Sequence, residues 1–274
     1  MLELFHAAPS YYSMVARLAL AEAGVSTVSR LLDIHIAKQQ LSPAYRQLNP
    51  HMTVPTLRGA DLLLTDSAEI LAFAARQAGD RWADADPARQ VGIAAVVQGH
   101  YCISIETLTF SKLLSSRPWF KTVVVKVLSG VIRSLERQAK RYPEQAQPLL
   151  AKAAQNRQRL AAFTEAPIAE VLQGQRQDVT AFLAALPPVV AGGCLFGRSV
   201  SSADVVLAVL CARLEMAGEQ ALLSRPDLQG WWQRMQQRPA FAAADVWTRF
   251  QRRRFFKAVL EARHTPINPS GSRA

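Results

Sequence analysis

The sequence has few of the features that would place a chain across a membrane, outside the cell or around a metal ion. Its three cysteines, Cys102, Cys194 and Cys211, fit no metal-binding spacing, and their odd number argues against a disulfide scaffold. No run approaches the ~18–20 apolar residues of a membrane-spanning helix. The nearest candidate, TVVVKVLSGVI, contains Lys126 and Gly130, and the first residues, MLELFH, lack the pattern of a signal peptide. These absences predict a cytoplasmic protein without a bound metal.

Acidic residues are also scarce, and the chain carries a net charge of +11. Such a balance requires nucleic-acid binding to be considered, but no recognisable nucleic-acid module accompanies the densest basic patch, TRFQRRRFFK. The interleaved Phe250, Phe255 and Phe256 leave a membrane-surface helix or a stacking surface open. The favoured interpretation is a packed terminal helix with solvated arginines, so no specific nucleic acid is expected and peripheral membrane contact stays an alternative.

Strand-like and helix-like segments alternate in the first eighty residues. LELFHA and VSRLLDI have strand character, and SMVARLALAEAG between them has a helical period that stops at Gly24. SPAYRQLN predicts a short helix from Ser42, and TVPTLRGADLLLTD predicts two strands joined at Gly59. SAEILAFAARQAG then predicts a helix ending near Gly79. This order predicts one mixed sheet with helices on its faces.

The pattern changes after this α/β segment, and helical periodicity dominates the rest of the chain. We therefore predict an α/β domain over residues 1–80 and an all-helical domain over residues 86–262. The composition of HTPINPSGSR predicts a disordered tail over residues 263–274.

The stretch APSYYSMVARLAL places four hydroxyl groups, on Ser10, Tyr11, Tyr12 and Ser13, at the start of the first predicted helix. A helix N-terminus favours an anion because its first amide groups lack partners within the helix. Hydroxyl donors add charge-assisted hydrogen bonds to such an anion.

Two further stretches carry candidate binding groups. In NPHMTVPTL, Val54 is held extended by Pro55, and a cis bond there would turn the backbone of Val54 outward to pair with an extended peptide. In TDSAEIL, Asp66 and Ser67 lie where a strand gives way to a helix. They either cap that helix or hold an α-amino acid, with Ser67 binding its carboxylate and Asp66 attracting its ammonium group.

In this order the segments resemble the glutathione transferase family. The matching stretches are SYYSMVARLAL, LNPHMTVPTL, TDSAEI and SSADVVLAVLCARLE, and in the last of these Ser201 and Asp204 form a capping box. The resemblance covers residues 1–80 well and residues 185–240 in part. It implies a thioredoxin-like α/β domain followed by an all-α domain, a homodimer, and glutathione as the co-substrate.

The resemblance also implies a glutathione site in the first domain. Val54 would pair with the cysteinyl backbone of the peptide, Asp66 and Ser67 would bind the γ-glutamyl head, and Gln40 would lie at the glycyl end. The complete implied set is Gln40, His51, Val54, Pro55, Asp66 and Ser67.

In serine-type members, the first serine of a motif similar to S-x-C-S hydrogen-bonds the glutathione sulfur, and alignment on RLAL places that serine at Ser10. Tyr12 is the second choice for this role and Ser13 the third, whereas Tyr11 is expected to face the core. The task of this donor is to lower a thiol pKa from about 8.5 so that thiolate is abundant at neutral pH.

Further fragments resemble the tetrachlorohydroquinone dehalogenase-like branch of the family. They are RLALAEAGV, PAYRQLNPHMTVPTL, AKRYPE and SSADVV, and the branch has a helical insertion similar to residues 111–175 here. The cysteine that serves reductive dehalogenation in that branch falls on Tyr12. Chemistry that needs a mixed disulfide between protein and glutathione is therefore not expected.

The resemblance implies an apolar electrophile site between the domains, with His100, Tyr101, Glu106 and Phe110 as its candidate residues. The predicted function is a transferase that stabilises the glutathione thiolate and conjugates it to an apolar electrophile, or uses it to displace a group from one. The alternative is a non-catalytic glutathione-transferase-like binding or adaptor protein, associated with a membrane surface through the basic C-terminal helix. Arg17 is expected to form a structural ion pair.

Overall fold

The computed structural model describes residues 1–268, so residues 269–274 of the predicted disordered tail lie outside the described residues. The chain divides into two compact units. One comprises Met1–Cys102 together with the described residues from Ala185 onward, and the other comprises Ile103–Ala184. The second unit contains the segment 111–175 that the sequence predicts as an insertion.

The first unit begins with a four-stranded mixed sheet. Strand β1 is parallel to β2, with Glu3 opposite Val28, and antiparallel to β3, with Glu3 opposite Arg58. Strand β4 pairs antiparallel with β3, so the order across the sheet is β2-β1-β3-β4. The predicted mixed sheet is thereby confirmed. The strands are β1 (Glu3–His6), β2 (Val28–Leu31), β3 (Thr56–Arg58) and β4 (Leu63–Leu64).

Three helices accompany this sheet, each starting at a polar capping residue. They are α1 (Tyr11–Glu22), α2 (Pro43–Leu48) and α3 (Ser67–Ala78), and their N-caps are Ser10, Ser42 and Asp66. Such side chains accept hydrogen bonds from amides that have no partner within the helix. The predicted stop after α1 is confirmed at Gly24, whose φ of +68° suits glycine. α3 ends at Ala78 with Gly79 as its C-cap, which confirms the predicted end near Gly79.

A hydrophobic cluster joins the sheet to α2. Ile267, near the end of the described chain, packs against this cluster, and the guanidinium of Arg58 donates a hydrogen bond to the carbonyl of Asn268. These described residues of the predicted tail therefore contact the sheet. The buried members of the cluster are Phe5, Ala7, Leu32, Tyr45, Leu48 and Val54.

The remaining helices are numbered in chain order across the two units. α4 (Pro87–Cys102) belongs to the first unit, and the second unit contains α5 (Ile105–Ser116), α6 (Phe120–Arg141), α7 (Ala146–Thr164) and α8 (Ile168–Ala185). The chain then returns to the first unit with α9 (Ser202–Ala217), α10 (Pro226–Gln236), α11 (Pro239–Ala243) and α12 (Arg252–Arg263). Within residues 1–268, no single helix is long and apolar enough to span a membrane, although α4 and α5 meet that criterion as a pair across their short break.

α9 is the most completely buried helix of the first unit, and the capping box predicted at its start is present. Both Ser201 N–H and Ser201 Oγ–H donate to Oδ2 of Asp204, at 2.9 and 2.6 Å. The other oxygen, Oδ1, accepts from Leu195 N–H and from the indole N–H of Trp231, both at 2.9 Å. Burial raises the pKa of the Asp204 carboxyl, and these four hydrogen bonds act in the opposite direction by favouring the ionised form.

We expect Asp204→Ala to lower the free energy of unfolding by about 3 kcal/mol or more, because buried donors would lose their acceptor. Asp204→Asn keeps one side-chain oxygen in place and serves as the matched variant, for which we expect a smaller loss. Urea unfolding of both variants measures the difference. Equal stability of Asp204→Ala and the parent protein would contradict this account of α9.

Candidate functional site

Ser10 occupies the position from which a side chain can reach an anion at the start of α1. It is half-buried, and its Oγ accepts a long hydrogen bond of 3.4 Å from Ser13 N–H. Its own N–H donates to Ala7 O at 3.2 Å. The hydroxyl proton of Ser10 is not used in either bond, so this hydroxyl can donate to a negatively charged ligand atom.

Two arginines hold the backbone that leads into Ser10. Arg17 donates to the carbonyl oxygens of Ala7 and Ala8, at 3.3 and 3.1 Å. Arg213, which is buried in α9, donates to the carbonyl of Pro9 at 2.8 Å. Three successive carbonyls are therefore held by guanidinium groups, which fixes the position of the next residue.

The ion pair expected for Arg17 is not present among the described residues. Its guanidinium instead donates to two further carbonyls, those of Ala244 and Asp245, and contacts Nδ1 of His6 at 3.1 Å. Burial lowers the pKa of Arg17 to about 9, and the positive charge of Arg254 contributes in the same direction. The expectation was wrong because backbone carbonyls accept the hydrogen bonds of this guanidinium group. No local sequence pattern predicts such acceptors.

The neighbouring hydroxyl-bearing residues, Tyr11, Tyr12 and Ser13, differ in burial and in their contacts. Tyr11 is buried, as expected, and its hydroxyl lies 2.6 Å from Nε2 of His100. Ser13 is fully buried, and its Oγ accepts from Ala7 N–H at 3.2 Å. Tyr12 is half-buried and stacks on Tyr101, with 6.1 Å between the ring centroids. This geometry favours Ser10 over Ser13 as a donor to a ligand.

The last turn of α4 links the starts of α1 and α3. His100 contacts Tyr11, and the hydroxyl of the next residue, Tyr101, lies 3.0 Å from Oγ of Ser67. Burial lowers the pKa of His100 to about 3, so its imidazole is neutral at physiological pH. Burial raises the pKa of Tyr101, which keeps its hydroxyl protonated. Two of the four predicted electrophile-site residues therefore contact residues at the two helix starts.

Asp66 and Ser67 lie together at the start of α3. Asp66 is exposed, and its Oδ1 accepts from Ala68 N–H at 2.7 Å, so the capping interpretation applies to this residue. Ser67 is buried, with its hydroxyl directed to Tyr101. Capping uses one carboxylate oxygen of Asp66, which is compatible with an ammonium group near the other.

The Val54–Pro55 peptide bond is cis. Behind it lies a buried polar network that the sequence analysis missed, centred on Asn49. The side-chain amide of Asn49 donates to Thr53 O, Thr56 Oγ1 and Thr65 O at 3.0, 3.0 and 3.1 Å. The network ties the segment before Pro55 to the residue before Asp66. The stretch LNPHMTVP gave no signal for it, because an asparagine before a proline is typical of ordinary turns.

Gln40 and His51 are less firmly placed. The amide nitrogen of Gln40 approaches Ile34 O at 3.4 Å, and its Oε1 is buried without a partner among the described residues. His51 is exposed, and its backbone N–H donates to Asn49 Oδ1 at 2.9 Å. Neither side chain is held as closely as those at the two helix starts.

The other two predicted electrophile-site residues, Glu106 and Phe110, belong to the second unit. Glu106 forms an ion pair with Arg159 of α7, and the ring of Phe110 lies 5.8 Å from that of Phe163. Both therefore have partners within their own unit, whereas the other predicted site residues lie in the first unit.

A cavity of about 640 Å³ lies in the first unit between α1, β2 and the segment 243–261. Its walls include His6, Arg17, Trp247 and Lys257 but none of the predicted glutathione-binding residues. Within the described part of the chain, no group of three or more His, Cys, Asp or Glu side chains is arranged to hold a metal ion.

Two models of known protein families match this chain. The family model of the glutathione S-transferase N-terminal domain matches residues 4–82, and that of the glutathione S-transferase C-terminal domain matches residues 137–239. The chain therefore belongs to the glutathione transferase family, with a thioredoxin-like α/β fold followed by an all-α part.

Individual relatives agree with this assignment. A tetrachloro-p-hydroquinone reductive dehalogenase from Sphingobium chlorophenolicum is 29% identical over 250 residues, which are 89% of this chain and 95% of that protein. The β-etherase LigF from Sphingobium sp. strain SYK-6 has a TM-score of 0.62 at 17% identity, covering 89% of this chain and 98% of its own. Glutathione transferase F2 from Populus trichocarpa has a TM-score of 0.60 at 14% identity, covering 89% and 97%.

We expect Asn49→Ala to lower the free energy of unfolding by about 2–3 kcal/mol, because buried acceptors would lose their donor. It should also weaken glutathione binding, since the network positions the segments on both sides of the cis bond. Gln47→Ala, at an exposed position near the end of α2 and two residues before Asn49, is the matched control. Urea unfolding and glutathione titration of both variants test this, and equal behaviour of the two would contradict it.

The buried His100 makes stability depend on pH. Its folded pKa of about 3 lies below the ordinary 6.5, so the unfolded chain takes up the proton first as the pH falls. The stability is therefore intact above about pH 6.5 and declines towards pH 3. When the pH is lowered from about 7 to about 5.5, we expect the free energy of unfolding to fall by about 1 kcal/mol less in His100→Gln than in the parent protein. Urea unfolding at the two pH values measures this, and parallel losses would show that His100 does not contribute.

Proposed function

We propose that this protein is a glutathione transferase that binds glutathione in its first unit, holds its sulfur as a thiolate and transfers it to an apolar electrophile. The observation that carries the proposal is Ser10 at the start of α1, with a hydroxyl proton that is free to donate. The proposal includes the cytoplasmic location and the homodimer expected from the sequence.

Three features favour the thiolate over the thiol. The Ser10 hydroxyl donates a charge-assisted hydrogen bond. The N-terminus of α1 contributes a positive partial charge. Arg17 and Arg213 hold the carbonyls of the preceding loop and bring two positive charges near the same backbone. All three lower the thiol pKa, and none of them removes the proton, which leaves to solvent.

The peptide is held at three points in this proposal. Val54 and Pro55 present extended backbone to the cysteinyl residue. Ser67 donates to the γ-glutamyl carboxylate at the start of α3, and Asp66 attracts its ammonium group. Tyr101, whose hydroxyl already lies 3.0 Å from Ser67 Oγ, provides a second hydroxyl at the same end. Gln40 and His51 lie towards the glycyl end.

The bond-forming step needs no further group from the protein. The thiolate attacks the electrophilic carbon, and the electron pair of the broken bond leaves with the displaced group or moves onto the acceptor. Tyr12 takes the place of the cysteine expected in reductive members, so we propose conjugation or displacement here, without a mixed disulfide. His100 and Tyr101 are proposed to border the electrophile.

Calorimetric titration with glutathione in two buffers of different ionisation enthalpy tests this function directly. Binding with proton release at neutral pH supports the proposal, because the thiol then loses its proton on binding. Binding without release would favour the alternative of a non-catalytic glutathione-binding protein. Absence of binding would overturn the proposal.

We expect Ser10→Ala to lower kcat/KM at neutral pH about 10- to 100-fold, because a hydrogen bond to a charged group is lost. The pKa in the pH profile of kcat/KM should rise, while the dissociation constant of glutathione changes little. A chlorodinitrobenzene is a suitable general electrophile for the assay.

Tyr12→Phe is the matched control, because it also removes one hydroxyl from the same turn. If the pH profile shifts in Tyr12→Phe and stays unchanged in Ser10→Ala, then Tyr12 and not Ser10 contacts the sulfur.

A further inference from the structure

α6 in the second unit exposes apolar side chains at its start. Trp119, immediately before the helix, is 68% exposed, and Val123 and Val127 are 42% and 44% exposed. The spacing of four residues places all three on one side of the helix. Trp119 packs edge-on against Phe120, with 5.5 Å between the ring centroids, so it is supported at its base while most of its indole faces solvent.

The opposite side of α6 is buried in the core of its own unit. Val124 packs with Leu114 and Phe163, and Leu128 is partly buried against the same cluster. Leu135, about two turns after Leu128, is fully buried. The helix is therefore fixed in rotation, and the side that carries Trp119 cannot turn inward.

The same exposed side continues as a row of cations. Lys126, Arg133, Arg137 and Lys140 are all exposed and follow Val123 at helical spacing. We call the whole set, Trp119, Val123, Lys126, Val127, Arg133, Arg137 and Lys140, the exposed α6 face.

The basic half of the exposed α6 face encloses a shallow cavity. This cavity, of about 270 Å³, is lined by Arg133, Glu136, Arg137 and Lys140. Glu136 forms an ion pair with Arg157 of α7, so its charge is already balanced. Among the described residues, none of the three cations is paired with a carboxylate. A small anionic group would meet three positive charges in this cavity.

We propose that the exposed α6 face docks on an anionic phospholipid membrane surface. The indole of Trp119 and the two valines enter the interfacial region, where amphipathic rings and apolar side chains gain from burial. The cations at the other end of the helix lie against the headgroups, with one phosphate in the cavity. The protein lies on the membrane and does not cross it.

The pairing of these two halves favours a membrane over other partners. A nucleic acid would use the cations, but its phosphates and sugars gain nothing from exposed valines. An acidic protein surface would match the cations but would leave the apolar half unexplained. A membrane surface has an apolar layer next to a layer of phosphates, and the exposed α6 face presents the matching groups side by side along one helix.

Trp119 also provides a selective probe. The other four tryptophans, Trp82, Trp231, Trp232 and Trp247, are each at most 5% exposed. Quenching of intrinsic fluorescence by iodide therefore reports mainly on Trp119. We expect vesicles of phosphatidylcholine with phosphatidylglycerol to protect it from iodide and to shift its emission to the blue. Vesicles of phosphatidylcholine alone should do neither.

Variants separate the exposed α6 face from the rest of the surface. We expect the triple change Arg133→Gln, Arg137→Gln and Lys140→Gln to weaken partitioning onto the anionic vesicles on the order of 100-fold, from the contribution of each cation near a charged surface. The matched control, Arg252→Gln with Arg253→Gln and Lys257→Gln, removes the same charge from α12 and should retain most of the binding. Co-sedimentation with the vesicles measures both.

Each alternative gives a distinct result. Equal loss of binding in the two triple variants would indicate attraction by net charge alone and would overturn the proposal, and so would loss only in the α12 variant. Continued quenching of Trp119 on bound vesicles would show that the apolar half stays in water. Protection of Trp119 without vesicles, increasing with protein concentration, would assign the face to a second copy of this chain.

Discussion

The candidate site depends on three backbone carbonyls being held by two guanidinium groups. Arg17 binds those of Ala7 and Ala8, and Arg213 binds that of Pro9. These bonds join the end of β1 to α1 and to the buried α9, so the position of Ser10 is set by helices that are far apart in the sequence. They also place positive charge beside the proposed thiolate. The same arginine–carbonyl hydrogen bonds therefore fix the position of Ser10 and supply the positive charge near it.

Three further sets of contacts extend this arrangement across the first unit. Asn49 links the segment around the cis bond to the residue before α3. His100 and Tyr101 link the start of α1 with the start of α3. Asp204 fixes the beginning of α9, from which Arg213 reaches the loop before Ser10. Polar groups that are hydrogen-bonded to one another thus position the site.

Most of the first unit was predictable from local patterns, and the features that escaped prediction are those made by contacts distant in sequence. The helix starts at Ser10, Ser42 and Asp66, and the stop at Gly24, follow from capping and turn preferences that a few residues express. The arginine donors that bind the carbonyls of residues 7–9 do not follow from any such local preference. Arg17 was expected to form an ion pair because the sequence gives its charge, whereas its carbonyl partners depend on how the loop and the segment near Ala244 fold around it.

The sequence by itself determined the order of strands and helices in the α/β segment, the capping residues of α1, α2, α3 and α9, and the residues that resemble a glutathione site, because all of these depend on neighbours along the chain. The tertiary structure decided which of the crowded hydroxyls remains available. Tyr11 is buried with its hydroxyl next to His100, and Ser13 is buried with its hydroxyl next to Ala7, so Ser10 and Tyr12 are the two that stay half-buried. It also decided that α6 buries one side and exposes Trp119 with a row of cations. Such outcomes depend on packing between elements that are distant in sequence, and no local pattern contains that information.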